Sequence, residues 1–326
     1  MKRIKFYVLA MVTASISCTS LAQETLDNGY VEKIVNEIAE HYQTEYTFPD
    51  KGLEVQATLL ANLAGKKYQN LLSYDSLAAQ LQRDIQIVTS DKHAAVFHRK
   101  KEPENDKESA PAQPSVNEFL KSIENYGFTD VEILEGNIGY VKMPVFFPIQ
   151  MDEKAKVAAD DMMEKFQKCK YIIFDLTACG GGDPNMISYL ISYLYPENAN
   201  VHLNDFFYRP TGATMSTYTT KVNGQPLPDV EVYVMISSKT FSAGEEFTYD
   251  LKYLERATIV GETSGGGAHT VEPRILDEQF ELMMPTGRAI NPITKTNWEG
   301  SGVTPHIKSE ASKSLETTLK TIKNKS

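Results

Sequence analysis

Residues 231–269 read EVYVMISSKTFSAGEEFTYDLKYLERATIVGETSGGGAH, two apolar runs separated by a helical segment. The first run, 232–236, is continuously apolar, which is typical of a strand covered on both faces of a sheet. Residues 243–254 predict a helix, and the second run, 257–260, predicts another buried strand. A strand, a helix and a strand in succession indicate helices packed on a mostly parallel sheet.

The same alternation extends toward the N-terminus. Strands are predicted over 138–143 and 171–176, and helices over 151–168 and 186–194. Residues 28–89 differ, because their apolar positions recur at spacings of three and four, as one face of a helix requires. We therefore predict an α/β chain in which an N-terminal helical bundle precedes the sheet-containing core.

Residues 100–114 divide these two regions. They are charged and rich in proline, with no apolar face to bury, so they predict a solvated linker. The predicted organisation is a signal peptide (1–22), a helical N-terminal domain (23–99), this linker, and a catalytic core (115–326).

The first 22 residues have the pattern of a secretory signal peptide. Lys2, Arg3 and Lys5 precede an apolar run over 6–16, and small residues lead to a cleavage site after Ala22. The run is shorter than the roughly 20 residues of a membrane-spanning helix, so we expect no integral membrane span. The chain is predicted to be exported, to the periplasm or the extracellular space.

Cys18 offers an alternative to simple export. Lipidation would require cleavage just before Cys18, but residues 15–17 lack the leucine expected three positions earlier. The lipoprotein interpretation is therefore the less favoured one.

Composition excludes several classes of partner. The formal net charge is −10, and the predicted signal peptide contributes three basic and no acidic residues, so the mature chain is more acidic still. Such a chain is not expected to bind nucleic acid. Cys169 and Cys179 match neither a disulfide framework nor a zinc pattern. We expect no cofactor and no metal, and the sequence leaves the oligomeric state open.

Three predicted strand ends are followed by loops whose residues are suited to catalysis. Residues 175–184 (DLTACGGGDP) contain three successive glycines, whose bare N–H groups suit either an oxyanion site or a plain turn. Ser242 stands where a strand gives way to a helix, either as a nucleophile or as an N-cap completed by Glu245. His269 follows a second glycine loop, as a general base or as an ordinary loop histidine.

A resemblance favours the catalytic interpretations. Residues 240–247 (TFSAGEEF) and 256–269 resemble the S41-type serine peptidases, the family of tail-specific, C-terminal processing and tricorn-like proteases. The glycine loop 175–184, the closing 298–305 (WEGSGVTP) and the helical start ending in 89–93 (TSDKH) are similar to the same family. The nearest branch is the one containing the interphotoreceptor retinoid-binding protein repeats.

The resemblance implies a fold and a reaction. The core would have the crotonase and Clp-protease type of fold, built from strand-strand-helix units. Ser242 would attack a peptide bond and form an acyl-enzyme, and the amides of Gly180, Gly181 and Ala243 would bind the oxyanion. The substrate would be a peptide or a protein.

The sequence also departs from the family. A lysine about 25 residues after the serine is usual, but that position is Gly267, so the Ser-Lys dyad is absent. His269 is the favoured substitute base with Glu299 orienting it, and Lys142 is the other available base. These changes keep open an alternative function, a catalytically inactive module that binds an apolar ligand or a peptide on the same scaffold.

Overall fold

A computed structural model describes residues 26–99 and 122–325. The predicted signal peptide and linker, 1–22 and 100–114, lie outside the described residues. The N-terminal region contains three helices, α1 (Asn28–Glu45), α2 (Pro49–Ala64) and α3 (Tyr74–Thr89). In the described part of the chain, no helix is long and apolar enough to cross a membrane.

Capping and apolar spacing account for these helices. Asp27 accepts a hydrogen bond from the Tyr30 N–H at 2.8 Å, and Ser73 forms a capping box with Ser76 at the start of α3. Pro49 stands at the first turn of α2, where its missing N–H costs nothing. The buried face of α1 is the one that the spacing predicts: Val31, Ile34, Val35, Ile38, Ala39 and Tyr42.

The core contains a six-stranded sheet in the order β11-β8-β7-β4-β3-β2. All neighbouring strands of this sheet are parallel except β2 and β3. The strands are β2 (Thr129–Leu134), β3 (Ile138–Lys142), β4 (Tyr171–Asp175), β7 (Glu231–Ile236), β8 (Ala257–Gly261) and β11 (Ile307–Lys308). This sheet confirms the predicted α/β core.

Within residues 122–325, the described part of the core, four α-helices are present. They are α4 (Lys154–Lys165), α5 (Pro184–Ser192), α6 (Ala243–Tyr253) and α7 (Ser314–Lys323). The first three agree with the helices expected over 151–168, 186–194 and 243–254 to within a few residues at each end. Buried residues of all three contribute to one hydrophobic cluster with the parallel sheet.

A second, antiparallel sheet joins the two regions. Its strands are β1 (Ala95–His98), β5 (His202–Tyr208), β6 (Ala213–Tyr218), β9 (His269–Ile275) and β10 (Phe280–Ile290). Strand β10 pairs with β1, β5 and β9. Residues 95–98, expected within the helical domain, therefore form a strand of the core's sheet. The three N-terminal helices also pack on this sheet. Their buried residues form one hydrophobic cluster with Phe280, Leu282 and Met284 of β10.

Candidate active site

Ser242 stands between β7 and α6 in a conformation that side chains rarely adopt. Its φ is +53° and its ψ is −120°. Its own N–H donates to Glu245 Oε2 at 3.0 Å, and the Glu245 N–H donates to the main-chain carbonyl of Ser242 at 2.8 Å. Non-glycine residues in the left-handed region persist only where their surroundings hold them, and they cluster at functional sites. The half-buried side chain lines a cavity.

Glu245 connects this helix start to the second glycine loop. Its carboxylate accepts hydrogen bonds from Ser264 Oγ (2.5 Å), Gly266 N (2.6 Å) and Gly267 N (2.8 Å). Burial raises the pKa of this carboxyl, and the four donors that surround it lower the pKa in part. The loop before His269 is thereby tied to the backbone of Ser242.

The first glycine loop lies against Ser242. A Cβ added to Gly181, whose φ is +128°, would stand 2.9 Å from the Ser242 Cβ, so only glycine fits there. The Gly180 N–H donates to Pro144 O at 3.0 Å. It is therefore already bonded, which contradicts the expectation that it binds an oxyanion. Across the described residues, the N–H groups of Gly181 and Ala243 have no protein acceptor.

His269 begins β9 and lines the same cavity as Ser242. Its Nδ1 is hydrogen-bonded to Asp91 Oδ2 at 2.6 Å, and its buried Nε2 has no partner in the described part of the structure. Burial lowers the pKa of this imidazole, but the hydrogen bond and charge of Asp91 outweigh burial and raise it above 6.5. The same contact holds the pKa of Asp91 below its usual range, against the opposing effect of burial.

Glu299 does not occupy the orienting position expected of it. Its Oε2 lies 3.8 Å from His269 Nδ1 and accepts a hydrogen bond from the Ala268 N–H at 2.6 Å. The carboxylate in direct contact with the imidazole is that of Asp91, which was not among the predicted site residues. Glu299 instead fixes the backbone just before His269.

Lys142, the other candidate base, ends β3 beside Asp175 of β4. It does not belong to the residues that line the cavity around Ser242. The structure therefore does not bring Lys142 to the predicted nucleophile, whereas it does bring His269 there.

His93 is a second imidazole at the cavity. Its ring centroid lies 4.6 Å from that of Phe241, the residue before Ser242, and its buried Nδ1 has no partner among the described residues. Burial lowers the pKa of His93 to about 4. The Lys92 ammonium donates to Gly265 O at 2.5 Å and ties this segment to the second glycine loop. The TSDKH motif was the available signal for both Asp91 and His93.

The cavity has a volume of about 370 Å³. It brings together Ser242, Ala243, His93 and His269 with residues of β5 and β9, two strands of the antiparallel sheet. The rest of its lining consists of Gly182, Pro184, Phe206, Tyr208, Glu246, Gly267, Ala268, Thr270, Val271, Glu272 and Trp298. A hydroxyl, two unbonded N–H groups and imidazoles around one cavity are the groups required for acyl transfer.

One grouping has the composition of a metal site. Ligand atoms of Asp91, His269 and Glu299 lie within 4.8 Å of one another. The 2.6 Å hydrogen bond between His269 Nδ1 and Asp91 already occupies the two atoms that would face an ion. Hydrogen bonding between these side chains thus accounts for the grouping.

Comparisons with known proteins identify a family for this chain. A family model described as "Peptidase family S41" matches residues 137–309. A second model, described as "N-terminal domain of Peptidase_S41 in eukaryotic IRBP", matches residues 27–135. The two matches together extend from the first helix to the last short strand.

Solved structures share the fold at low sequence identity. A lipoprotein from Streptococcus agalactiae has a TM-score of 0.62 and 13% identity, over 99% of this chain and all of that one. Mature CPAF has a TM-score of 0.61 and 13% sequence identity, over 91% of this chain and 96% of that one. The photosystem II D1 C-terminal processing protease has a TM-score of 0.53 and 12% sequence identity, over 86% of this chain and 93% of that one. At these identities the likeness shows the fold alone.

Proposed function

Because the chain belongs to peptidase family S41, we propose that it is an exported serine peptidase that hydrolyses peptide bonds through an acyl-enzyme on Ser242. The observation that carries the proposal is the cavity that Ser242 shares with His269. Two N–H groups without protein acceptors, those of Gly181 and Ala243, lie beside this serine. Peptides and proteins are therefore the proposed substrates.

The proposed reaction gives each of these groups a role. Ser242 Oγ attacks the scissile carbonyl carbon while its proton moves to an imidazole nitrogen. The carbonyl oxygen becomes an oxyanion that accepts hydrogen bonds from the Gly181 and Ala243 N–H groups. The imidazolium then gives its proton to the departing amine. The bond between the carbonyl carbon and this amine breaks, and the acyl-enzyme remains. Water, deprotonated by the same imidazole, hydrolyses the ester and regenerates the Ser242 hydroxyl.

We assign the general base to His269. Its contact with Asp91 repeats the pair of carboxylate and imidazole that activates serine in other hydrolases, and its unbonded Nε2 is the nitrogen that would accept the Ser242 proton. Although burial lowers the pKa of His269, the hydrogen bond and charge of Asp91 outweigh burial and raise it, which makes the imidazole a more effective proton acceptor. His93 is the competing imidazole, because its ring stacks on Phe241 next to Ser242. Its pKa of about 4 makes it the weaker base.

Export rests on the N-terminal sequence. Three basic residues, a short apolar run and a small-residue cleavage site are the three parts of a signal peptide. The lipoprotein alternative through Cys18 predicts cleavage after Ser17, five residues earlier than cleavage after Ala22. The mass of the mature N-terminal peptide separates these two outcomes.

Labelling of Ser242 tests the proposed function. Folded mature protein is treated with a serine-directed fluorophosphonate, and the adduct is located by peptide mass spectrometry. We expect modification of Ser242 and its loss in Ser242→Ala, with Ser238→Ala as the matched control that still reacts. An inert Ser242 in folded protein would support the alternative of a binding module without catalytic activity.

A further inference from the structure

Glu246 is a buried carboxyl on the wall of the cavity. It lies one helical turn after Ser242 in α6, on the same side of the helix, since residues four apart share a face. Only 4% of its surface is exposed. None of the described basic side chains forms an ion pair with it, although ionisable residues are rarely so buried without a partner.

The surroundings of Glu246 lack positive charge. Burial, and to a lesser degree the nearby charge of Asp183, raise its pKa to about 8, while the Asn204 side chain lowers it. Asp250, one turn further along α6, is a second buried carboxyl whose pKa is raised by burial and by the charge of Glu246. Asp250 Oδ2, an acceptor, is buried without a hydrogen-bond partner in the described residues. A ligand that donates hydrogen bonds or carries positive charge would relieve this shortage.

The cavity walls near Glu246 suit a long cationic side chain. Phe206, Tyr208 and Trp298 present aromatic surface, which attracts ammonium and guanidinium groups and packs on their aliphatic stems. Glu272 also lines the cavity, but its carboxylate pairs with Arg274 at 2.6 Å. Of the two cavity carboxyls, Glu246 is thus the one without a cation.

We propose that Glu246 determines specificity by binding a lysine or arginine side chain of the substrate, on the residue that supplies the scissile carbonyl. This inference rests on the proposed function, because it takes Ser242 as the nucleophile. The carbonyl must lie beside Ser242 Oγ, and one helical turn rises about 5.4 Å, a distance that a lysine or arginine stem spans. Binding of the cation favours the carboxylate form of Glu246 and releases its proton to solvent.

Peptidyl-aminomethylcoumarins test this proposal, because their leaving group is constant and only the acyl residue changes. The series carries Lys, Arg or norleucine next to the coumarin. Norleucine has the four-carbon stem of lysine but lacks the ammonium group. We expect kcat/KM for Lys and Arg to exceed that for norleucine by at least about tenfold. In Glu246→Gln the ratio should fall to within about threefold. Glu164→Gln, on an exposed face of α4, is the control that keeps the wild-type ratio.

A binding measurement keeps this test independent of turnover. Two tripeptide aldehydes, ending in argininal or norleucinal, are titrated against wild type and Glu246→Gln by calorimetry, after thermal melts confirm that both proteins are folded. Tighter binding of the argininal in wild type alone supports the proposal. Equal binding of both aldehydes overturns it. If fluorophosphonate still labels Ser242 in that case, the specificity assignment fails while the proposed peptidase function stands.

Discussion

Asp91 and His269 are 178 residues apart in the chain, yet they form a 2.6 Å hydrogen bond at the buried side of the cavity. Two effects follow from this contact. It fixes which nitrogen of the imidazole faces away from Asp91, and it raises the imidazole pKa through a neighbouring negative charge. If His269 is the general base, both effects should appear in the pH dependence of hydrolysis.

The pH–rate profile of wild type and Asp91→Asn provides the first prediction. A general base must be neutral, so activity is lost as pH falls through its pKa, and we expect the acidic limb of kcat/KM above pH 6.5. Asp91→Asn should lower kcat by about 10²- to 10⁴-fold and move the limb to lower pH, because the charge that favours the imidazolium is gone. Initial rates between pH 4 and 9 measure both quantities.

Glu299→Gln is the graded control for this experiment. Its carboxylate also raises the pKa of His269 but lies 3.8 Å from Nδ1, so the limb should shift in the same direction by less. A limb near pH 4 in wild type would transfer the role to His93, whose pKa burial lowers to about 4 although the charge of Asp91 raises it.

The candidate site was partly predictable at the scale of single residues. Ser242 and His269 each lie at a strand end within a short motif, where the local pattern left two interpretations open and the family resemblance favoured the catalytic one. Asp91 could not be paired with His269, because the contact depends on how the helical region packs against β9. Gly180 was misassigned for a similar reason: its acceptor, Pro144 O, comes from a different loop.

The glycine loop between β4 and α5 acts as one element. Phe146 N donates to Gly181 O at 2.8 Å and Phe241 N donates to Cys179 O at 2.9 Å, so the loop is held from both sides. These contacts leave the Gly181 N–H without an acceptor and place it beside Ser242. The loop is therefore ordered before a substrate binds, which is what an oxyanion site requires.

Gly181→Ala tests this element. The new methyl group would stand 2.9 Å from the Ser242 Cβ at a φ of +128°, so the loop must move. We expect kcat to fall about 10²- to 10³-fold, as for loss of one oxyanion donor, and stability to fall by about 1–3 kcal/mol. Single-turnover kinetics and urea melts measure the two losses. Gly212→Ala, at φ +66° with open space around it, is a control for backbone strain without contact with Ser242.

Strands differed in how well the sequence predicted them. β4, β7 and β8 are buried on both faces and contain continuous apolar runs, which a single sequence reveals. The antiparallel sheet was not anticipated, because β6 is almost wholly exposed and β9 mixes polar residues with a proline. Such strands are stabilised by partners distant in sequence rather than by their own pattern.

At the scale of the whole molecule, the helical region is held against the core by a few defined contacts. The Arg209 guanidinium, just after β5, donates to Tyr46 O at 2.6 Å and to Gln43 O at 2.7 Å. These carbonyls lie at the end of α1 and just beyond it, where helical acceptors are otherwise free. The same region supplies Asp91 and His93 to the cavity, so its position matters for the site.

Arg209→Met should loosen this attachment while keeping the aliphatic stem. We expect a loss of about 1–3 kcal/mol in stability, because two backbone carbonyls lose a charged donor. We also expect faster amide exchange in α1 and α2 and a lower kcat with little change in KM. Hydrogen exchange by mass spectrometry and steady-state kinetics measure these effects. The control is Arg83→Met, on the exposed face of α3, which should change neither amide exchange nor kcat. Equal exchange in the two variants would argue against the anchoring role of Arg209.

The cavity is lined by residues from position 93 to position 298, and Asp91 and Glu299 adjoin it through His269, so the site spans most of the described chain. A ribosome must therefore complete almost the entire polypeptide before Asp91, Ser242 and the segment of Glu299 can meet. A chain kept unfolded for translocation would hold these groups far apart and would be unable to cut other proteins inside the cell that makes it. If the chain is an exported peptidase as proposed, this late assembly would keep the site inactive until translocation is complete.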